Sequence, residues 1–254
     1  MNGRFYVGLH QPSNAQHFAR SFISINRLRT RKGPFPARRW IMDSGAFTEI
    51  ATFGHYRHDV AEYASAARRW IGNGELEAIV AQDWMCEPWI VAKTGLSVRE
   101  HQRLTVERYD ALMDQDVPCY ILPVLQGFQP DDYRRHIEMY GDRLKVGAWV
   151  GVGSVCKRNG RPDAVEAVLA AVTMERPDLR KHAFGLKKTA LLHGGVRRLA
   201  FSADSLSWSF NARMNGRNPN DWREAKAFEQ SINEAAGLPV WPWQAQLNFE
   251  GITL

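Results

Sequence analysis

Cysteine is scarce. The 254 residues hold three, Cys86, Cys119 and Cys156, too far apart for a CxxC metal pair or a small disulfide framework. They read as reduced thiols in or near a core. No apolar run approaches the roughly 18 to 20 residues of a membrane span, and MNGRFYVGLHQPSN at the start lacks a secretory-type apolar stretch. The expectation is a soluble, intracellular protein of the cytoplasm, bacterial or phage-infected, with no membrane partner. No GxGxxG motif opens the first helix, which disfavours a dinucleotide-binding sheet. Repeats, low-complexity tracts and a clear interdomain linker are also missing, so residues 1–254 read as one domain whose longest loop spans 211–220.

Positive charge is plentiful. The formal net charge is +6, with clusters at Arg27, Arg29, Arg31 and Lys32, at Arg38 and Arg39, and at Lys157, Arg158 and Arg161. Such a balance favours a polyanionic partner, because neutralising phosphates releases counterions. A solvated charged face is the plain alternative for each cluster.

Apolar runs rich in β-branched and aromatic residues recur at 5–9, 39–43, 76–83, 119–127, 144–154, 182–186 and 197–204. Between them lie helical patterns at 58–72, 97–115, 131–140, 162–174 and 221–236, the second opened by an S-x-x-E capping box at Ser97 and Glu100. Continuous apolar strands alternating with helices imply a parallel sheet covered by helices. Seven strands, an even repeat and this chain length predict an α/β protein of the (β/α)8 TIM-like barrel type. Its eighth strand is expected near 238–241, and 27–38 is expected as a basic loop between the first two strands.

In such a barrel the strand C-termini build the active site. Four expected strands end there in acids or amides: Asp43 in MDSGAF, Asp83 in AQDWMCEP, Gln126 in PVLQGF and Asp204 in FSADSLSW. Singly, each aspartate reads equally as a helix cap and the glutamine as a loop brace. Converging carboxylates repel, and a ligand, a metal or a shared proton must offset that. The run VGVGS, with Gly151 and Gly153, adds a strand end that a flat ligand can approach. Acids and an amide suit the edge of a purine-like base, and a further carboxylate suits attack on an anomeric carbon, which is glycosyl-transfer chemistry. Phe47, Trp84 and Phe128 are candidates to sandwich the base, although core packing explains each. His10 is a candidate pocket group with a structural alternative, and His55 and Tyr56 carry the same ambiguity.

In order, DSGAF, QD, PVLQG, VGVGS, HAFGL and FSADS resemble the queuine and archaeosine tRNA-guanine transglycosylases over roughly residues 40–210. That resemblance implies a barrel enzyme that exchanges guanine in a polynucleotide for a 7-deazaguanine through a covalent enzyme–sugar intermediate. It implies that Asp43, with Ser44 and Gly45 beside it, contacts the base and is placed to move protons. It makes Asp83 and Gln126 the base-recognition pair, Gly151 and Gly153 a backbone platform, and Asp204 the nucleophile. The tRNA enzymes carry a zinc site of C-x-C-x-x-C plus His, and no cysteine follows Cys156 here, so no metal and no cofactor are expected. The shorter chain resembles instead the compact DpdA-type members found in phages and bacterial modification islands, in which the 7-deazaguanine, such as preQ0, goes into DNA. The expected partners are DNA or RNA and the free base, with Arg27, Arg29, Arg31, Lys32, Lys157 and Arg158 as a phosphate track. The sequence leaves open DNA against tRNA, a nucleoside or glycoside hydrolase using Asp43 and Asp204, a binding subunit without chemistry, and the oligomeric state.

Overall fold

The computed structural model describes residues 4–158 and 160–235. Nine parallel strand segments form its sheet: β1 Arg4–Gly8, β2 Arg20–Ser24, β3 Arg39–Asp43, β4 Glu75–Val80, β5 Ile121–Leu122, β6 Val124–Leu125, β7 Trp149–Val152, β8 Arg180–Ala183 and β9 Ser202–Ser205. The order is β5-β4-β3-β2-β1-β9-β8-β7-β6. Its two ends, β5 and β6, are consecutive in the chain and separated only by Pro123, so the sheet curls into a nearly closed barrel. Proline has no N–H to give the ladder. The chain therefore pairs with β4 before Pro123 and with β7 after it, where the Pro123 carbonyl accepts from the Gly151 N–H at 2.8 Å. Counted as staves, β5 and β6 are two halves of one, and the barrel has eight.

The helices are α1 Ala46–Phe53, α2 Val60–Trp70, α3 Pro88–Thr94, α4 Val98–Met113, α5 Pro130–Tyr140, α6 Pro162–Glu175, α7 Lys188–Leu192, α8 Gly194–Leu199, α9 Ser207–Met214 and α10 Trp222–Ala235. The Ser97–Glu100 capping box opens α4 as expected, and Asp59 with Glu62 makes a second at α2. One strand went unread. The eighth stave is β2, RSFIS, whereas 238–241 lies outside the described residues. Only two apolar residues, Phe22 and Ile23, mark β2, and serines flank them, so no apolar run announces it. The basic stretch from Arg27 consequently follows the second strand rather than the first. Among the described residues no helix is long and apolar enough to cross a membrane.

Strand parity sorts the core into two shells, because successive side chains face opposite sides of a sheet. Phe5, Val7, Trp40, Met42 and Ile79 pack outward under the helices. Tyr6, Ile41, Val80, Leu122, Val124 and Trp149 fill the barrel interior. Counting on by two from the interior residues places Asp43 after Ile41, Gln126 after Val124, and Gly151 and Gly153 after Trp149 on the axis side. On β9, Ser202 and Asp204 share that side.

Candidate active site

A cavity of about 550 Å³ opens at the C-terminal end of the barrel and is lined by Asp43, Asp83, Glu87, Gln126, Gly153 and Asp204, among others. That volume admits a small planar ligand. Four carboxylates face it and Arg27 is the single guanidinium. Such a wall calls for a ligand edge rich in hydrogen-bond donors.

Asp43 ends β3 and folds into an Asx turn, its Oδ2 accepting from the Gly45 N–H at 3.0 Å. Gly45 itself is the N-cap of α1 at φ +77°, and a Cβ there would lie 2.5 Å from the Asn26 side chain. Burial pushes the Asp43 carboxyl up to about 6 against the lowering pull of the Gly45 N–H, and the charge on Asp204 adds to the rise. Asp83 stands higher, at about 7, through burial and the charge on Asp43, with the Gln126 amide pulling the other way. Ser44, fully buried, points its Oγ at Asp83 Oδ1 from 3.5 Å.

The two middle acids belong to one polar wall. Gln126 Nε2 donates to Asp83 Oδ2, and Gln126 Oε1 lies 2.8 Å from Ser154 Oγ. Ser154 Oγ accepts from the Cys86 N–H at 2.9 Å and also lies 3.0 Å from Glu87 Oε2. One hydroxyl proton thus serves two acceptors, Gln126 and Glu87. Gly153 makes room for this wall, since a Cβ on it would lie 2.2 Å from Gln126 Nε2. The peptide N–H groups of Gly151 and Gly153 are spent in the ladder, on Pro123 and Leu125 carbonyls at 2.8 and 2.9 Å. Gly151 does not line the cavity. A Cβ there would meet the Phe184 ring at 2.4 Å, so this glycine admits Phe184 to the cavity floor.

Asp204 holds the opposite wall. Its Oδ1 accepts from the Gly185 N–H at 2.9 Å and lies 3.3 Å from His182 Nε2. His182 Nδ1 lies 2.9 Å from Ser202 Oγ, which also accepts from Trp149 Nε1–H at 2.9 Å. An indole can only donate. Asp204 Oδ1, already taking the Gly185 N–H, faces the Nε2–H of the ring, which leaves Nδ1 to accept from the Ser202 hydroxyl.

The remaining expected site residues divide. His10 lines the cavity between Ser209 Oγ at 2.8 Å and Arg27 Nη2 at 3.1 Å, and burial, then Arg27 and Arg213, hold its pKa below the usual imidazole range. Phe47 reaches the mouth, 48% exposed, with Lys157 over its ring at 5.0 Å. Trp84 packs in a separate core beside Tyr56, and Phe128 lies under the Arg158 guanidinium; neither lines the cavity. Arg158 also donates to the Ser154 and Phe128 carbonyls. Arg29 is tied to Asn26 at 3.2 Å. Arg69, in the last turn of α2, binds the carbonyls of Arg31 and Lys32 at 2.8 Å each. That helix runs antiparallel to the strands, so Arg31 and Lys32 sit at the end of the barrel away from the cavity. Of the basic track, the structure brings only Arg27 and Lys157 to the mouth.

Sequence reasoning passed over Glu87, His182 and the Phe22–Phe184 floor. The parity of β8 would have found His182, inward like Phe184 two residues on. Nothing in DWMCEP marks Glu87, the N-cap residue of α3 without a capping bond.

Comparison with curated proteins finds no match. A family model, described as DeoxyPurine in DNA protein A, matches residues 1–231. With its barrel, its rim of acids and this match over most of its length, the chain belongs to the DpdA family.

Proposed function

We propose that the protein replaces guanine in DNA by a 7-deazaguanine such as preQ0, through a covalent bond between Asp204 and the deoxyribose. Family membership supports guanine transglycosylation in DNA in general. The finer reading rests on one observation: Asp204 is held from one side by Gly185 and His182 while Asp43 and Asp83, both raised, face the same cavity.

With Oδ1 occupied, we assign Oδ2 of Asp204 to attack C1′ of the target nucleoside. The C1′–N9 bond breaks, its electrons pass to the leaving guanine, and the guanine takes up a proton from Asp43 or a water beside it. A carboxyl near pH 6 suits either direction of that transfer. Asp83, Gln126 and Ser154 then read the base, carboxylate against its N1–H and 2-amino group and amide against O6. The incoming base yields its N9 proton back to Asp43 or the water beside it, its nitrogen attacks C1′, and the bond to Asp204 breaks, its electrons returning to the carboxylate. Two inversions give net retention. A duplex target must first give up its base from the stack, at a cost of a few kcal/mol.

Incubating the protein with a guanine-containing oligonucleotide and labelled preQ0 tests this reading. Label should enter the DNA, and denaturing gels should show a trapped protein–DNA adduct that Asp204→Ala abolishes. Trapping that survives the substitution removes Asp204 from its role, and free-base release from nucleosides without incorporation assigns the barrel to hydrolysis instead.

A further inference from the structure

Beside the base cavity lies a second, larger cleft of about 830 Å³. The two share Phe47, Cys156, Gly185 and Leu206, so they form one continuous depression with a threshold at these residues. The cleft is bounded by the turn at Cys156–Arg158, by α7 and by α9 and α10. Lys157, Lys187, Lys188 and Arg217 line it, against one carboxylate, Glu224, which pairs with Arg217 at 3.2 Å. Its rings are also unusually open. Phe210 is 52% exposed and Phe47 nearly as much, with Arg213 over the Phe210 ring at 5.5 Å and Lys157 over that of Phe47. The base cavity has the opposite character, acidic and almost without cations.

We infer that this cleft receives the nucleotide next to the one being exchanged, with its base stacked on Phe210 and its phosphates against Lys157 and Lys188. Acid walls suit a base and repel phosphate, so a polynucleotide whose target base enters the cavity must carry its phosphates elsewhere along the same depression. The adjoining cleft combines continuity, cations and exposed rings, the features with which single strands are held. The substrate is accordingly an unstacked dinucleotide segment rather than a single flipped base. This rests on the DNA-exchange reading above and adds to it the path of the strand.

Lys188→Glu and Phe210→Ala test the inference, since both residues lie outside the base cavity. Binding of free preQ0, followed by tryptophan fluorescence, should match the wild type and report an intact cavity. For a single-stranded oligonucleotide, KM should rise about tenfold in either variant, and the salt dependence should fall by about one counterion in Lys188→Glu. An oligonucleotide with 5-iodouracil beside the target guanine should photocrosslink to Phe210 in the wild-type protein. Unchanged KM and salt slope in both variants, or a crosslink on the Arg27 side of the mouth, would overturn the cleft while leaving base exchange standing. A wild-type protein that incorporates no base into any polynucleotide defeats the exchange reading, and the strand path with it.

Discussion

At the scale of single residues, the arrangement around Asp204 shows how a carboxylate is aimed. The Gly185 N–H and His182 Nε2 both address Oδ1, and the Trp149–Ser202–His182 chain braces the ring from its other nitrogen. His182 does not line the cavity, so it acts as a positioning residue. His182→Phe should slow base exchange by about 10- to 100-fold while leaving the Kd for free preQ0 unchanged. His182→Gln, which keeps a donor at a similar reach, should recover most of the rate. Single-turnover kinetics beside equilibrium base binding separate these effects. Equal loss of binding and rate would make His182 merely structural.

Among the elements, β7 shows how a glycine pattern noticed in sequence takes its physical reason from the packing around it. VGVGS stands out because no side chain fits there, and in the structure the missing side chains make room for Phe184 and Gln126 rather than free N–H groups for a base. Gly153→Ala should push Gln126 off Asp83 and weaken preQ0 binding by at least tenfold, while costing about 1 to 3 kcal/mol of stability. Calorimetric titration and chemical denaturation of the same sample check both numbers. The strands that lead to Asp43, Asp83, Gln126 and Asp204 were legible because each is an apolar run stopped by a polar residue at a barrel rim. β2 was not, since its serines break the pattern, and β5–β6 read as one run although Pro123 divides it. The basic stretch beyond β2 was visible as charge, but charge carries no direction. Only the packing of Arg31 and Lys32 on the end of α2 shows that they point away from the mouth.

For the molecule as a whole, the cavity is a stability burden of known sign. Asp43 and Asp83 titrate near 6 and 7 when folded, above the ordinary value of 3.8. A carboxyl raised on folding binds more protons in the native state, so stability is greatest where both forms are protonated and falls as pH rises from about 4 to 7. Burial acts the other way on His136, held near 3, and on His10 and His101, also lowered, whose share of stability rises with pH up to about 6.5, so the acids' share is read as a difference between wild type and a variant. Asp83→Asn should flatten the acids' decline and melt higher than wild type at pH 8, by an amount equivalent to a few kcal/mol. Differential scanning calorimetry of both proteins at a series of pH values measures the difference, and a variant that gains nothing over wild type between pH 5 and pH 8 would contradict the raised Asp83 carboxyl. The seam at Pro123 adds a matter of timing. Strands β1 to β5 and β6 to β9 are two contiguous half-barrels that meet at Pro123 and along the β1–β9 pairing. Asp43 and Asp83 are synthesised in the first half, whereas Asp204 rides on the last strand of the second. A chain still emerging from the ribosome thus lacks Asp204 until the barrel's final stave is made. No half-built molecule therefore carries all four cavity acids.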